Sequence, residues 1–155
     1  MPQDPDESMR PWVQVAAFCN VAMQEPPPGG WMSLIRILDR WFVPGNTTEM
    51  PPSTLQTTLV VMLKSGNMNT TATLKIQPLT PSKKPLPAIE IPVLFEGDER
   101  GVNLVLPVVM TIDESGLYWF DIFVDEQLFT RIPLRVLYQR VAGISPPPES
   151  PKPEG

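Results

Sequence analysis

Alternate residues from Val102 to Ile112 form an unbroken apolar set: Val102, Leu104, Leu106, Val108, Met110 and Ile112. A repeat of two is the signature of a strand with one buried face, and it excludes a helix over the same span. The pattern recurs along the chain. Leu59, Val61 and Leu63 alternate within 55–64, Ala72, Leu74 and Ile76 within 70–77, and Ile89, Ile91, Val93 and Phe95 within 89–95. In 12–23 the alternate residues Val13, Val15, Ala17, Cys19 and Val21 are apolar and predict an inward face, with Gln14 through Asn20 turned outward.

The spacers carry the opposite signal. The chain holds 21 prolines, concentrated at Pro26–Pro28, Pro51–Pro52, Pro78 to Pro87 and Pro146 to Pro153. Proline ends helices and is confined to edges and bulges in sheets, so this placement leaves room for short strands and little room for helices. Pro92 predicts a strand edge or bulge. Segment 31–43 is open to two readings. Leu34, Ile35, Leu38, Trp41 and Phe42 fit a helical spacing with Ser33 as cap, and they also fit a bulged strand, which the neighbouring strands favour. The fold class expected is all-β: an antiparallel immunoglobulin-like sandwich of about eight strands over residues 11–141, with 33–42 as the one place for a short helix.

Residues 1–10 and 142–155 are rich in Pro, Ser, Glu and Asp and poor in apolar side chains, which predicts disordered tails. The last of these, from Ser145 to Pro153, favours the polyproline II conformation. Ser65-Gly66-Asn67 reads as the turn of a hairpin between 55–64 and 70–77. The closing hairpin is read with a three-residue loop, Asp125-Glu126-Gln127. That loop sets Val124 opposite Leu128, Phe120 opposite Ile132 and Tyr118 opposite Leu134 on the core side, and pairs Phe123 with Phe129 and Asp121 with Arg131 outside.

Composition bears on function chiefly by exclusion. Histidine is absent, which removes imidazole bases, Ser-His and Cys-His nucleophiles, and histidine ligands for zinc. The single cysteine, Cys19, has no partner for an internal disulfide and suits a reducing compartment. A formal charge of −5 opposes binding to nucleic-acid phosphates. No apolar run is long enough to span a bilayer, and the start lacks the pattern of a secretory signal, so a cytoplasmic protein is expected.

The acidic pairs Asp98-Glu99 and Asp113-Glu114 lack the oxygen spacing of a calcium loop. The glycines near 29–30 and 97–101 do not form a phosphate cradle, and no cofactor is implied. What remains is a surface. Trp119, Asp121, Phe123, Phe129, Arg131 and Arg135 are expected on the outer face of the last hairpin, where aromatic and arginine side chains together suit a protein partner or a second copy. An alternative is a carbohydrate-binding sandwich in which Trp31, Trp41 and Trp119 form a platform for sugar rings.

The sequence carries two resemblances. Val15 to Val21 followed by Met32 to Arg40, then Thr57 to Leu63 and Gly116 to Val136, resemble an uncharacterised bacterial family of small proteins, a domain of unknown function that implies no activity or catalytic residues. The closing hairpin, with Asp113 and Gly116 before Tyr118, is similar to the end of immunoglobulin-like sandwiches, where a tyrosine follows a tight corner.

Overall fold

The computed structural model describes residues 10–141, so the two expected tails lie outside the described residues apart from Arg10. Nine strands and no helix are found there: β1 (Trp12–Gln24), β2 (Met32–Leu38), β3 (Arg40–Gly45), β4 (Ser53–Lys64), β5 (Asn69–Leu79), β6 (Ile89–Glu96), β7 (Gly101–Ile112), β8 (Gly116–Val124) and β9 (Gln127–Arg140). They form a four-stranded sheet in the order β2-β1-β4-β7 and a five-stranded sheet in the order β3-β9-β8-β5-β6. The core between them holds Phe18, Leu59, Leu63, Leu74, Phe95, Tyr118, Phe120 and Leu134, all buried. At its centre Phe18 of one sheet meets Phe120 of the other edge to face, with centroids 4.7 Å apart, a favoured aromatic arrangement.

The ambiguous segment 31–43 holds no helix, and its extended backbone is two strands. β2 ends at Leu38 in the first sheet, Asp39 intervenes, and β3 pairs with β9 in the second sheet, in parallel. This is the one parallel ladder among the described strands of the otherwise antiparallel sandwich, which refines that reading. The helical spacing of Leu34, Leu38 and Trp41 is explained by this crossing, because the inward parity passes from Leu38 in the first sheet to Trp41 and Val43 in the second, while Phe42 stays exposed.

Three further readings are corrected. β4 and β5 do not form a hairpin: β4 pairs with β1 and β7, and β5 with β6 and β8. Their apolar faces look at each other across the core rather than lying side by side. The connection is fixed by Ser65, whose Oγ donates to the carbonyls of Gly97 and Arg100 at 3.1 and 2.9 Å.

In β1 a bulge between Val13 and Val15 shifts the parity. Val13, Ala16 and Phe18 therefore face the core, and Val15, Ala17, Cys19 and Val21, expected inside, lie on the outer face. The closing hairpin has a two-residue turn, Asp125-Glu126, with both residues at positive φ (46° and 66°), the backbone of a type I′ turn. The extra residue appears as a bulge at Phe129, so Phe123 faces Leu128 and Val124 faces Gln127. Beyond the bulge the expected register holds, with Phe120 opposite Ile132, Tyr118 opposite Leu134 and Asp121 opposite Arg131.

Edges are managed by proline. Pro92 lies in edge strand β6 and Pro107 in edge strand β7, positions where a missing N–H costs no ladder bond. At the corner before β8, Gly116 takes φ +131° against Pro81, and Tyr118 Oη donates to the Glu114 carbonyl at 2.8 Å.

Candidate functional site

The two outer faces differ in kind. On the five-stranded sheet the structure brings Trp119, Asp121, Phe123, Arg131 and Arg135 onto one surface, as expected. Phe129 is not among them, because the bulge turns it against the core. The remaining groups largely satisfy one another. Arg131 Nε donates to Asp121 Oδ1 at 2.7 Å, with the carboxylate almost buried, and the same guanidinium lies 5.0 Å from the Trp119 ring centroid. Lys75 Nζ covers the Phe123 ring at 5.8 Å. Each aromatic face thus already has a cation over it.

The outer face of the four-stranded sheet is different, and the sequence pattern did not point to it. Its outward register positions include Val15, Ala17, Cys19, Val21 and Met23 on β1, Ile35 and Ile37 on β2, Val60 and Met62 on β4, and Val105, Pro107 and Val109 on β7. Ile37 is 66% and Val109 65% exposed, and Val21, Met23, Ile35 and Val105 are exposed as well. The one charged residue at these outward positions is Lys64, at the end where Trp12 Nε1 donates to Glu99 at 2.8 Å. A signal for this face was present, in that β4 and β7 carry valines on both parities. It was masked by assigning the β1 set inward.

Cys19 lies on this face but is fully covered by its neighbours. Burial pushes its thiol above its ordinary range, which leaves it in the unreactive protonated form.

The three tryptophans do not form a platform. Trp31 projects from the β1–β2 connection, 73% exposed. Trp41 pairs with Val136 on the inward parity of β9, whereas Trp119 pairs with Pro133 on the outward parity. Trp41 instead lines two adjoining clefts, of about 490 and 480 Å³, at the point where the chain passes between sheets. Among the described residues no group of three or more metal-ligating side chains converges, and no helix is long and apolar enough to cross a membrane.

Two facing sheets, a tyrosine hydrogen-bonded to the corner before it, and a final hairpin at the middle of one sheet define an immunoglobulin-like β-sandwich. The chain belongs to a family of unknown function, DUF6941, whose model matches residues 14–137. No curated protein matches the sequence.

Among solved structures, an immunoglobulin-like protein from Pseudomonas aeruginosa is similar at 13% identity and a TM-score of 0.37, over 83% of this chain and 97% of that one. A β-glucosidase from Listeria innocua in complex with glucose is similar at 8% identity and a TM-score of 0.44, over 78% of this chain. This chain spans 16% of that enzyme's length.

Proposed function

We propose that the domain is a non-enzymatic protein-interaction module of the cytoplasm that pairs with a second copy of itself through the outer face of the four-stranded sheet. The observation that carries this reading is the run of exposed Val21, Ile35, Ile37, Val105 and Val109 on a face whose only outward charge is at one end. Uncharged Thr54, Gln56, Thr58 and Asn103 share this face, and an exposed apolar area set among uncharged polar residues is the mark of an interaction site. In a chain of net charge −5, copies repel along most approaches. A face without carboxylates is where two of them can meet without like-charge contact, stacked as sheets stack in a sandwich.

Four strands about 4.8 Å apart and about eight residues long at 3.3 Å each give a footprint of roughly 500 Å². That is below the ~800 Å² per partner of a standard interface, so the pair is expected to be a weak one that exchanges with monomer as the protein is diluted.

Light scattering and sedimentation across a concentration series test this. Mass is expected to rise from monomer to dimer, Ile37→Glu and Val109→Glu to abolish the rise, and Trp119→Ala to leave it unchanged. A strict monomer at every concentration overturns the proposal, as does a dimer indifferent to both glutamates.

A further inference from the structure

The base of the β1–β2 ribbon holds a second surface with a different chemistry. β1 pairs with β4 only as far as Cys19, and the two-stranded ribbon of β1 and β2 continues beyond it. Where the ribbon meets β3 lies the cleft of about 490 Å³, with Ile37, Leu38, Trp41 and Phe42 as apolar walls and Asn20, Arg36 and Arg40 beside them. Its volume falls in the range of sites that take a side chain or small ligand. β2 and β3 are the edge strands of their sheets on this side, each with one neighbour. Their free edges therefore present main-chain donors and acceptors next to the cleft.

The charge here runs against that of the molecule. Arg40 pairs in register with Arg135, and Arg36 lies on the adjoining strand, with Asp39 as the carboxylate between them. Asp39 meets Arg40 Nε at 3.3 Å through a solvent-exposed contact. Such a contact is readily exchanged for another anion. Arg36 makes no ion pair among the described residues, and its backbone is held at φ +56°, a left-handed conformation unfavourable for a residue with a side chain. Backbone strain of this kind concentrates at ligand clamps.

We propose that this cleft binds an extended acidic segment of a partner protein. Its carboxylates pair with Arg36 and Arg40, an apolar side chain packs on Trp41 and Phe42, and its backbone runs along the free edge of β3. Charge complementarity selects that occupant: arginine presents a planar fork matched to carboxylate, and the edge supplies the hydrogen bonds of an added strand. A nucleic acid carries the right sign, but its phosphates recur at every nucleotide and would run past the two arginines into the negative field of a −5 chain, whereas a short segment with apolar side chains between its carboxylates confines its charge to the cleft. The inference goes beyond the pairing of copies and does not require it.

The test uses the full chain and a fluorescein-labelled probe peptide, Asp-Leu-Glu-Phe-Asp-Leu-Glu, followed by anisotropy at low and high ionic strength. The comparison probe replaces each Asp by Asn and each Glu by Gln. The acidic peptide is expected to bind saturably and to weaken with salt, and the amide peptide to bind roughly tenfold or more weakly. Arg36→Glu and Arg40→Glu should each reduce affinity by roughly tenfold, with Arg40→Lys intermediate. Equal binding of both peptides, full affinity in both charge reversals, or no saturation by the acidic peptide overturns the proposal. Ile37 borders both the cleft and the apolar face, so the arginine variants, which are not outward positions of that face, carry the test, and light scattering on them reads pairing separately.

Discussion

Replacing Tyr118 by phenylalanine tests the corner that sets the closing hairpin. The ring is buried among core residues, and Phe keeps it, so the change removes one hydroxyl. That hydroxyl donates to the Glu114 carbonyl at 2.8 Å, and the Glu114 N–H approaches it at 3.4 Å. Glu114 is only partly buried, so water can reach the freed carbonyl, and the loss should be that of one ordinary hydrogen bond, about 1 kcal/mol. For a domain of this size that lowers Tm by about 3–5 °C.

The pH dependence gives a second reading of the same group. Burial, reinforced by the carboxylates of Glu114 and Asp113 and opposed by the hydrogen bond from the Glu114 backbone, pushes the phenol above its ordinary 10.0. A folded value above the unfolded one means that the phenol's contribution is complete below pH 10.0. At higher pH the unfolded chain ionises first, and stability falls until the folded phenol ionises too. A phenylalanine at this position has no proton to lose, so the gap between wild type and Tyr118→Phe should close above pH 10.0. Urea unfolding of both proteins across that range measures the gap, in which the titration of Cys19 cancels. A gap that is absent at neutral pH, or constant through the alkaline range, refutes the reasoning.

Phe120→Ala removes a fully buried ring and its contact with Phe18. It should cost about 3–5 kcal/mol, measured by denaturant unfolding, whereas Phe120→Leu should lose markedly less. Glu126→Gly relieves a side chain held at φ 66° and should stabilise by about 1 kcal/mol. The same change at Asp125 should not, because Asp125 Oδ1 accepts the Thr73 N–H at 2.9 Å; paired thermal melts separate the two. Arg131→Leu leaves the nearly buried Asp121 carboxylate without its partner and should cost about 1–3 kcal/mol, which equilibrium unfolding reads directly.

The sheet content was legible because burial imposes alternation, and every inward residue expected on β5 and β7 is in the core or packed against it. The pairing of strands was less so. A turn such as Ser65–Asn67 serves a hairpin or a crossing between sheets, since alternation reports which side of a strand is buried and not which strand lies beside it. Bulges were invisible for a related reason. One extra residue at Val13–Val15 or at Phe129 reverses every inward assignment on one side of it while leaving each half a valid alternation. The inward and outward parities expected on β8 and on β9 beyond the bulge are therefore those found, and the parity expected on β1 is inverted.

The composition of a face says less about binding than the state of its groups. Trp119 and Arg131 are residue types that dominate interfaces, yet here the guanidinium is committed to both the indole and the Asp121 carboxylate. A partner that drew it away would leave that carboxylate unpaired at the cost of its burial. Ile37 and Val109 are ordinary residue types with no such commitment, and covering them removes apolar surface from water without breaking a contact. The same criterion separates the arginines. Arg131 is paired with Asp121 and lies over Trp119 within the fold, while Arg36 is held in an unfavourable backbone conformation with no ion pair among the described residues. A guanidinium in that state gains from an incoming carboxylate the interaction that Arg131 already has, so a binding surface is expected at the crossing between the sheets and not over the closing hairpin.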